Sequence, residues 1–580
     1  MTERCLPRLC IDVGSVPGES RWVHAWAGAP WSHARASDLS AAFRAALGRA
    51  ARPLALAAAA AISVAAIALP VATADAKSLR IASAFDPNTL DPHALALLYH
   101  TRIMNQVYEG LVTRDRNYKL EPALATRWQM TGPTTWRFTL RADVRFHDGT
   151  PFTADDAVFS IQRALARTSQ RASQLRGVTG ARKVDERTID VLMAAPDAVL
   201  PEKLVFVAMM SRAWAEKHGV AAPQDFNGKQ ETFAVRNANG TGPFRVKSYE
   251  PDRRVVLTRN DAWWGWKTAA ADPRANLTEA IFTVIQSDAT RLAALATGEV
   301  DFVLDPPFQD VARLKRDKRI KLAEVSDIGT QYLGFDQARA ALEGSDVRDR
   351  NPFKDVRVRR AVAHAIDIDT IIAKVLRGQA RPAGSHLSAL VDGHVPALET
   401  RLPYDPAAAR RLLAEAGFAD GFGVTLDCVN VTFRAAVCQA IAAMLAQVNI
   451  RVTFQPSPGA LFFPKLTQAT ASFFEFGWTP GGEAWSTLNA IVRSYDGAGA
   501  GAFNGGRYSN PKLDALIDAI RTEPDLDRRR AQIGEALTLM KAELPMLPLY
   551  RRTLTWAMRP TIHAVPLPND VLELRWVRID

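Results

Sequence analysis

The sequence predicts an α/β protein of two lobes, with an extra strand-rich subdomain inserted in the first. Three observations predict it. A chain of 580 residues is too long to be organised around one core and divides into two or more. Strand, helix and strand signals follow one another at 279–304 and again at 424–455, the order that builds a parallel pair with a helical crossover. Ahead of both, 112–250 is rich in short strand and turn signals, which suits a separate, mostly β subdomain.

Residues 1–76 read as a leader. The apolar run at 54–69, LALAAAAAISVAAIAL, follows Arg44, Arg49 and Arg52 and is followed by Ala72, Ala74 and Ala76. That is the charged region, apolar region and A-x-A ending of a secretory signal peptide. A run of sixteen residues falls short of the roughly twenty that a membrane span needs. Cleavage is expected after Ala76, releasing a periplasmic protein. No Cys lies near that point, so no lipid anchor is indicated. The residues ahead of the Arg cluster fit either an over-extended start or an unusually long leader.

From Lys77 the first lobe, 77–327, opens with a strand at 79–85, a turn at Asp86-Pro87-Asn88, and a helix ending near Tyr108-Glu109-Gly110. Within the inserted part, about 112–250, the stretch 136–160 carries the clearest pattern. Trp136, Phe138 and Leu140 alternate with polar residues, the period of a half-buried strand. Asp148-Gly149 suits a tight turn, and Thr153 can cap a helix with Asp156 in the capping-box position. Ala154, Ala157, Val158, Ile161 and Leu165 give that helix its apolar stripe. At 279–304, Asp288 is the expected helix cap and Gly298 the expected stop. The second lobe, 328–544, starts with a strand near 328–336. Asp367 can cap a helix there, and Asp405-Pro406 with Gly417 bracket another. The chain is expected to cross back near 543–550, so that 545–580 completes the first lobe.

Several of these stretches resemble one family. Tyr108-Glu109-Gly110-Leu111, the 136–160 stretch, Asn239-Gly240-Thr241-Gly242-Pro243-Phe244, Asn260-Asp261-Ala262-Trp263-Trp264-Gly265, 291–301 and 351–366 stand in this order in the chain. Together they are similar to the motifs of the peptide/nickel class of extracellular solute-binding proteins, the receptors of ATP-binding-cassette importers. The resemblance covers the chain from about residue 78 onward. It implies a type II periplasmic-binding-protein fold of the large peptide-binding kind, a small solute held between the lobes, and lobe closure around it. Its implied partners are an inner-membrane permease and its ATPase subunits, with the receptor a monomer. A short peptide is the favoured solute; an opine, a sugar or a metal chelate is the alternative, and a hydrolase or isomerase working in the same cleft is the rival class.

Composition narrows the field further. The formal charge is +11, but the densest basic run, 313–321, has no aromatic interleaving and no nucleic-acid motif, so no DNA or RNA binding is read from it. The histidines, at 93, 100, 147, 218, 364, 386, 394 and 563 within the mature chain, show neither HExxH nor zinc spacing. No G-x-S-x-G elbow occurs. The sequence therefore gives no catalytic residue, no metal site and no cofactor.

The stretch 472–489, SFFEFGWTPGGEAWSTLN, is the strongest site candidate. Phe473, Phe474 and Phe476 mark a buried strand, Pro480-Gly481-Gly482 a turn, and a helix starts near Glu483; ligands of α/β sheets collect at such strand ends. By the resemblance, Gly477 offers main-chain hydrogen bonds to a peptide and Trp478 an aromatic wall. Peptide receptors of the class carry an Asp three residues after that Trp, where this chain has Gly481; Glu483 is the nearest acid, placed where a helix N-terminus favours a carboxylate or an anionic ligand group. The ligand-binding candidates are Tyr108, Glu109, Gly477, Trp478, Thr479, Glu483 and Trp485. Two cysteines follow the leader: Cys428 on a strand and Cys438 on the next helix. In an oxidising compartment they can bridge; two buried thiols are the alternative.

Overall fold

The computed structural model describes residues 77–497 and 499–580. The leader, with its apolar run at 54–69, lies outside the described residues. No helix among the described residues is long and apolar enough to cross a membrane.

Twelve strands form one large sheet, numbered here among themselves. Its first-half strands are β1 (Lys77–Ser83), β2 (Phe244–Glu250), β3 (Arg254–Arg259), β4 (Leu277–Val284), β5 (Phe302–Val303) and β6 (Lys321–Ser326). The other half holds β7 (Thr330–Phe335), β8 (Ala380–Pro382), β9 (Phe422–Val429), β10 (Ile450–Ser457) and β11 (Phe473–Trp478). The long β12 (Met546–Met558) belongs to both. The order is β10-β9-β11-β7-β12-β5-β1-β4-β3-β2, with β6 and β8 also paired to β12. The start of β12 pairs with β7 and its end with β5 and β6. The chain thus passes between the halves twice, at 327–329 and within β12, and the halves remain one compact unit.

The crossover expected at 279–304 differs from the structure in its pairing. β4 and β5 do not pair with each other; each runs parallel to β1, one on either side of it. The helix between them, Asp288–Thr297, is capped by Ser287, whose side chain accepts from Thr290 N–H, and not by Asp288. Gly298 ends it at φ 85°, a conformation natural to glycine. In the other half β9 lies parallel to β10 across the helix Thr432–Ala446, as the alternation predicts. Cys428 near the end of β9 and Cys438 on that helix are joined in the structure, their Cα atoms 6.8 Å apart.

The strand-rich segment has its own four-stranded sheet, Ala125–Gly132, Thr135–Leu140, Thr188–Met193 and Val178–Asp185. The helix Ala154–Ala164 packs on it, with the expected reciprocal capping box between Thr153 and Asp156. Its buried face uses Ala154, Ala157 and Ile161, and Phe138, Leu140, Phe146 and Val191 complete a core drawn from 111–209.

Candidate functional site

A cavity of about 610 Å³ opens at the carboxyl end of β11, the position favoured for ligands in α/β sheets. Trp478 ends β11, paired with Thr330 on β7. Its indole N–H donates to Thr487 Oγ1 at 3.2 Å, and its ring meets Phe503 at 5.2 Å between centroids. Pro480, Gly481 and Gly482 then turn the chain into the helix Ala484–Ile491. Gly482 takes φ 110°, and a Cβ there would collide with the guanidinium of Arg114; the second glycine of the turn is required on both counts. The Gly481 carbonyl accepts from Arg114 Nη2 at 2.7 Å, and that same nitrogen is paired with Glu202.

Glu483 is the N-cap of that helix, its two carboxylate oxygens accepting from Ser486 N–H at 2.9 and 3.2 Å. The helix end does not keep it readily ionised, as its position suggested. Burial dominates and pushes its pKa up to about 7, with the neighbouring Glu202 carboxylate adding to the rise. Trp485 is buried beside it. Lys203 Nζ lies 4.6 Å from the centre of its ring and is paired with Asp197 at 2.5 Å. The Trp485 indole N–H is buried and has no partner, a costly state for a donor, and the residue lines the cavity. At the junction of the halves, Asp327 pairs with Arg552 on β12 at 2.7 Å, and both line the cavity.

Of the predicted residues, the structure brings Trp478, Thr479, Glu483 and Trp485 together around this cavity. Gly477 falls outside its lining. The strand runs one residue further than that expectation required: Gly477 is paired with Gln331 on β7, and its Cα faces the Gln331 and Arg434 side chains. Tyr108 and Glu109 are also placed elsewhere, around a smaller adjoining cavity of about 80 Å³. Tyr108 packs in the core of the first half. Glu109 accepts from the indole N–H groups of Trp263 and Trp264 at 3.0 and 3.1 Å, and burial raises its pKa to about 7.

That placement explains the motifs. Gly242 N–H donates to the Val107 carbonyl at 2.9 Å, and His147 N–H to the Gly240 carbonyl at 2.8 Å. Asn239 and Asp148 bond each other, and Asn260 Nδ2 reaches the Gly242 carbonyl at 3.1 Å. A Cβ at Gly240 would strike the Val107 carbonyl. Four motif segments therefore converge on the end of the helix Leu98–Val107, and Tyr108, Glu109, Pro243, Trp263 and Trp264, from three of them, line the smaller cavity. Sequence reasoning missed the lining groups Arg171, Glu202, Lys203, Phe206, Asp327 and Arg552. They come from four separate places in the chain, 171, 202–206, 327 and 552, and no local pattern marks them.

The comparisons with known proteins agree with this architecture. Residues 119–499 match the family described as bacterial extracellular solute-binding proteins, family 5 Middle. Heme-binding protein A of Haemophilus influenzae is 26% identical over 474 residues, covering 77% of this chain and 81% of that protein. Glutathione-binding protein GsiB of Salmonella choleraesuis is 25% identical over 489 residues, covering 82% and 89%. The solved structure of HbpA2 from Haemophilus parasuis superposes with a TM-score of 0.74 at 24% identity, over 87% of this chain and all of that one. With two thirds of its length matched by the family and a sheet whose two halves share one strand beside a large cavity, the chain belongs to the family 5 bacterial extracellular solute-binding proteins.

Proposed function

We propose that the chain is the receptor of an ATP-binding-cassette importer and takes a short peptide or peptide-like solute into the cavity beside Trp478. The observation that carries this is the cavity itself: about 610 Å³, walled by Trp478, Trp485, Phe206 and Phe503, with an unpartnered indole N–H and a buried carboxyl at hand. Apolar walls with a few placed polar groups suit a small solute. The relative named for glutathione, itself a peptide, supports the class. In this reading 77–327 with 545–580 form one lobe and 328–544 the other, and the lobes close on the solute and present it, as a monomer, to a permease with ATPase subunits. The leader at 1–76 directs export to the periplasm.

A non-peptide solute is the second reading, favoured by Gly481. Its position holds no carboxylate, and its carbonyl is already engaged by Arg114. Calorimetric titration with short peptides, and with an opine, a sugar and a metal chelate, separates the two. The expected result is saturable 1:1 binding of a peptide, with the peptide recovered unchanged. Trp478→Ala is expected to weaken it by about 2 kcal/mol or more, the usual loss for a buried aromatic anchor. Binding of only a non-peptide solute would select the second reading, and turnover of the titrant would select an enzyme.

A further inference from the structure

We propose that Arg171 is the anion-reading group of this cavity, so that the solute carries a carboxylate where it meets the 169–176 segment. The inference rests on the receptor reading above and adds the ligand's charge. Arg171 is 4% exposed, and it lines both the large cavity and the small one that adjoins it. Its one hydrogen bond runs from Nη2 to Thr101 Oγ1 at 3.1 Å; its Nε is buried and has no partner. Among the described residues no carboxylate lies within ion-pairing distance of it.

The other buried arginines are differently placed. Arg163 is paired with Asp91 at 2.6 Å, Arg102 with Asp305 and Asp570, and Arg551 with Glu399. Arg359, which has no carboxylate, donates instead to the carbonyls of Phe353, Lys354, Glu543 and Leu544. A guanidinium with five N–H donors and a single hydroxyl to receive them is costly when buried. Burial lowers the pKa of Arg171 only to about 10, so it stays charged at neutral pH. Its neighbours His93 and His100 are buried and held neutral, their pKa values near 3, so they add no second positive charge beside it. The acids lining the large cavity are committed elsewhere: Glu202 to Arg114, Asp327 to Arg552 and Asp570 to Arg102, while Glu483 caps its helix. A ligand carboxylate would supply the missing acceptor in the fork geometry that a guanidinium matches. Gln174, on the same segment and also lining the large cavity, has a buried Oε1 with no donor.

The test pairs binding with the stability of the unliganded protein. Trialanine, trialanine amide and alanyl-glutamyl-alanine amide are titrated into the parent protein, Arg171→Gln and Arg171→Lys. Loss of one charged hydrogen-bonded pair corresponds to about ten- to a hundredfold in affinity. The parent is expected to prefer trialanine over its amide by that factor, Arg171→Gln to erase the preference, and Arg171→Lys to keep part of it. Recovery of affinity by the glutamyl amide would place the carboxylate on a side chain and not at the terminus. Equal binding of trialanine, its amide and the glutamyl amide by the parent, or an unchanged preference in Arg171→Gln, would overturn the proposal. If the parent binds no peptide, the peptide reading fails, and the unliganded arm decides Arg171. A guanidinium kept for a ligand leaves the melting temperature of Arg171→Gln equal to the parent's or higher, whereas a clear fall shows a structural role and overturns the inference.

Discussion

Glu483 shows how a single carboxyl can be pulled two ways. The helix N-terminus offers it Ser486 N–H, which favours the charged form, while burial disfavours that form more strongly and raises the pKa to about 7. Glu109 is raised to about 7 by burial in the same way. An acid whose folded pKa exceeds its unfolded value of 4.5 adds stability that is complete below about 4.5 and is lost as pH rises through about 7. Buried neutral histidines such as His93 and His386 act in the opposite sense, destabilising the fold as pH falls below 6.5, so the informative quantity is a difference between proteins. Thermal unfolding from pH 4 to 8 is expected to show parent stability declining relative to Glu483→Gln across 4.5–7. A constant difference over that range would show that Glu483 titrates normally. The same carboxyl also reports on the ligand. A solute ammonium placed against it favours the carboxylate, so binding near pH 7 is expected to release a proton and to tighten as pH rises. Calorimetry in buffers of different ionisation enthalpy reads that proton, and uptake or no exchange would exclude the ammonium contact.

At the scale of elements, what was legible in the sequence is what is local. The Thr153–Asp156 capping box, the Asp405 cap ahead of Pro406, and the stop at Gly417 with φ 81° all form where their residue types predict. Where two neighbouring residues could both cap, as Ser287 and Asp288 can, sequence alone does not choose; the structure uses Ser287. The pairing of β9 with β10 was legible, whereas that of β4 and β5 was not. β4 and β5 flank β1, roughly two hundred residues earlier in the chain, and nothing in either segment names that partner. The cavity shows the same limit: Trp478, Thr479, Glu483 and Trp485 share one stretch and could be read together, whereas Arg171, Asp327 and Arg552 meet them only in the folded chain. The motifs were legible as motifs, whereas the hydrogen bonds that join them around Val107 and Glu109 were not. One element carries a covalent prediction. Cys428 and Cys438 tie the end of β9 to the helix Thr432–Ala446, and closing so short a loop stabilises a fold by about 3 kcal/mol in chain-entropy accounts. Non-reducing peptide mapping is expected to find both in one linked fragment, and reduction to lower the melting temperature. Two free thiols in protein prepared without reductant would contradict the bridge.

At the scale of the whole molecule, the large sheet is two half-sheets that share β12, with Asp327 and Arg552 paired where the chain passes between them. Both of those residues line the cavity, so a solute bound there touches the junction as well as the segments on either side. A ligand that touches both halves can change their arrangement only through contacts that differ between the arrangements. The central claim is that this cavity holds a small solute reversibly and leaves it unaltered. Native mass spectrometry of the protein purified from its own cells tests it most directly, because a retained solute is weighed with the chain and again after release. The account predicts a single adduct of peptide size, lost on unfolding and recovered at the same mass when offered to the emptied protein. An emptied protein that takes up no solute, or one that returns it at a changed mass, would contradict the account.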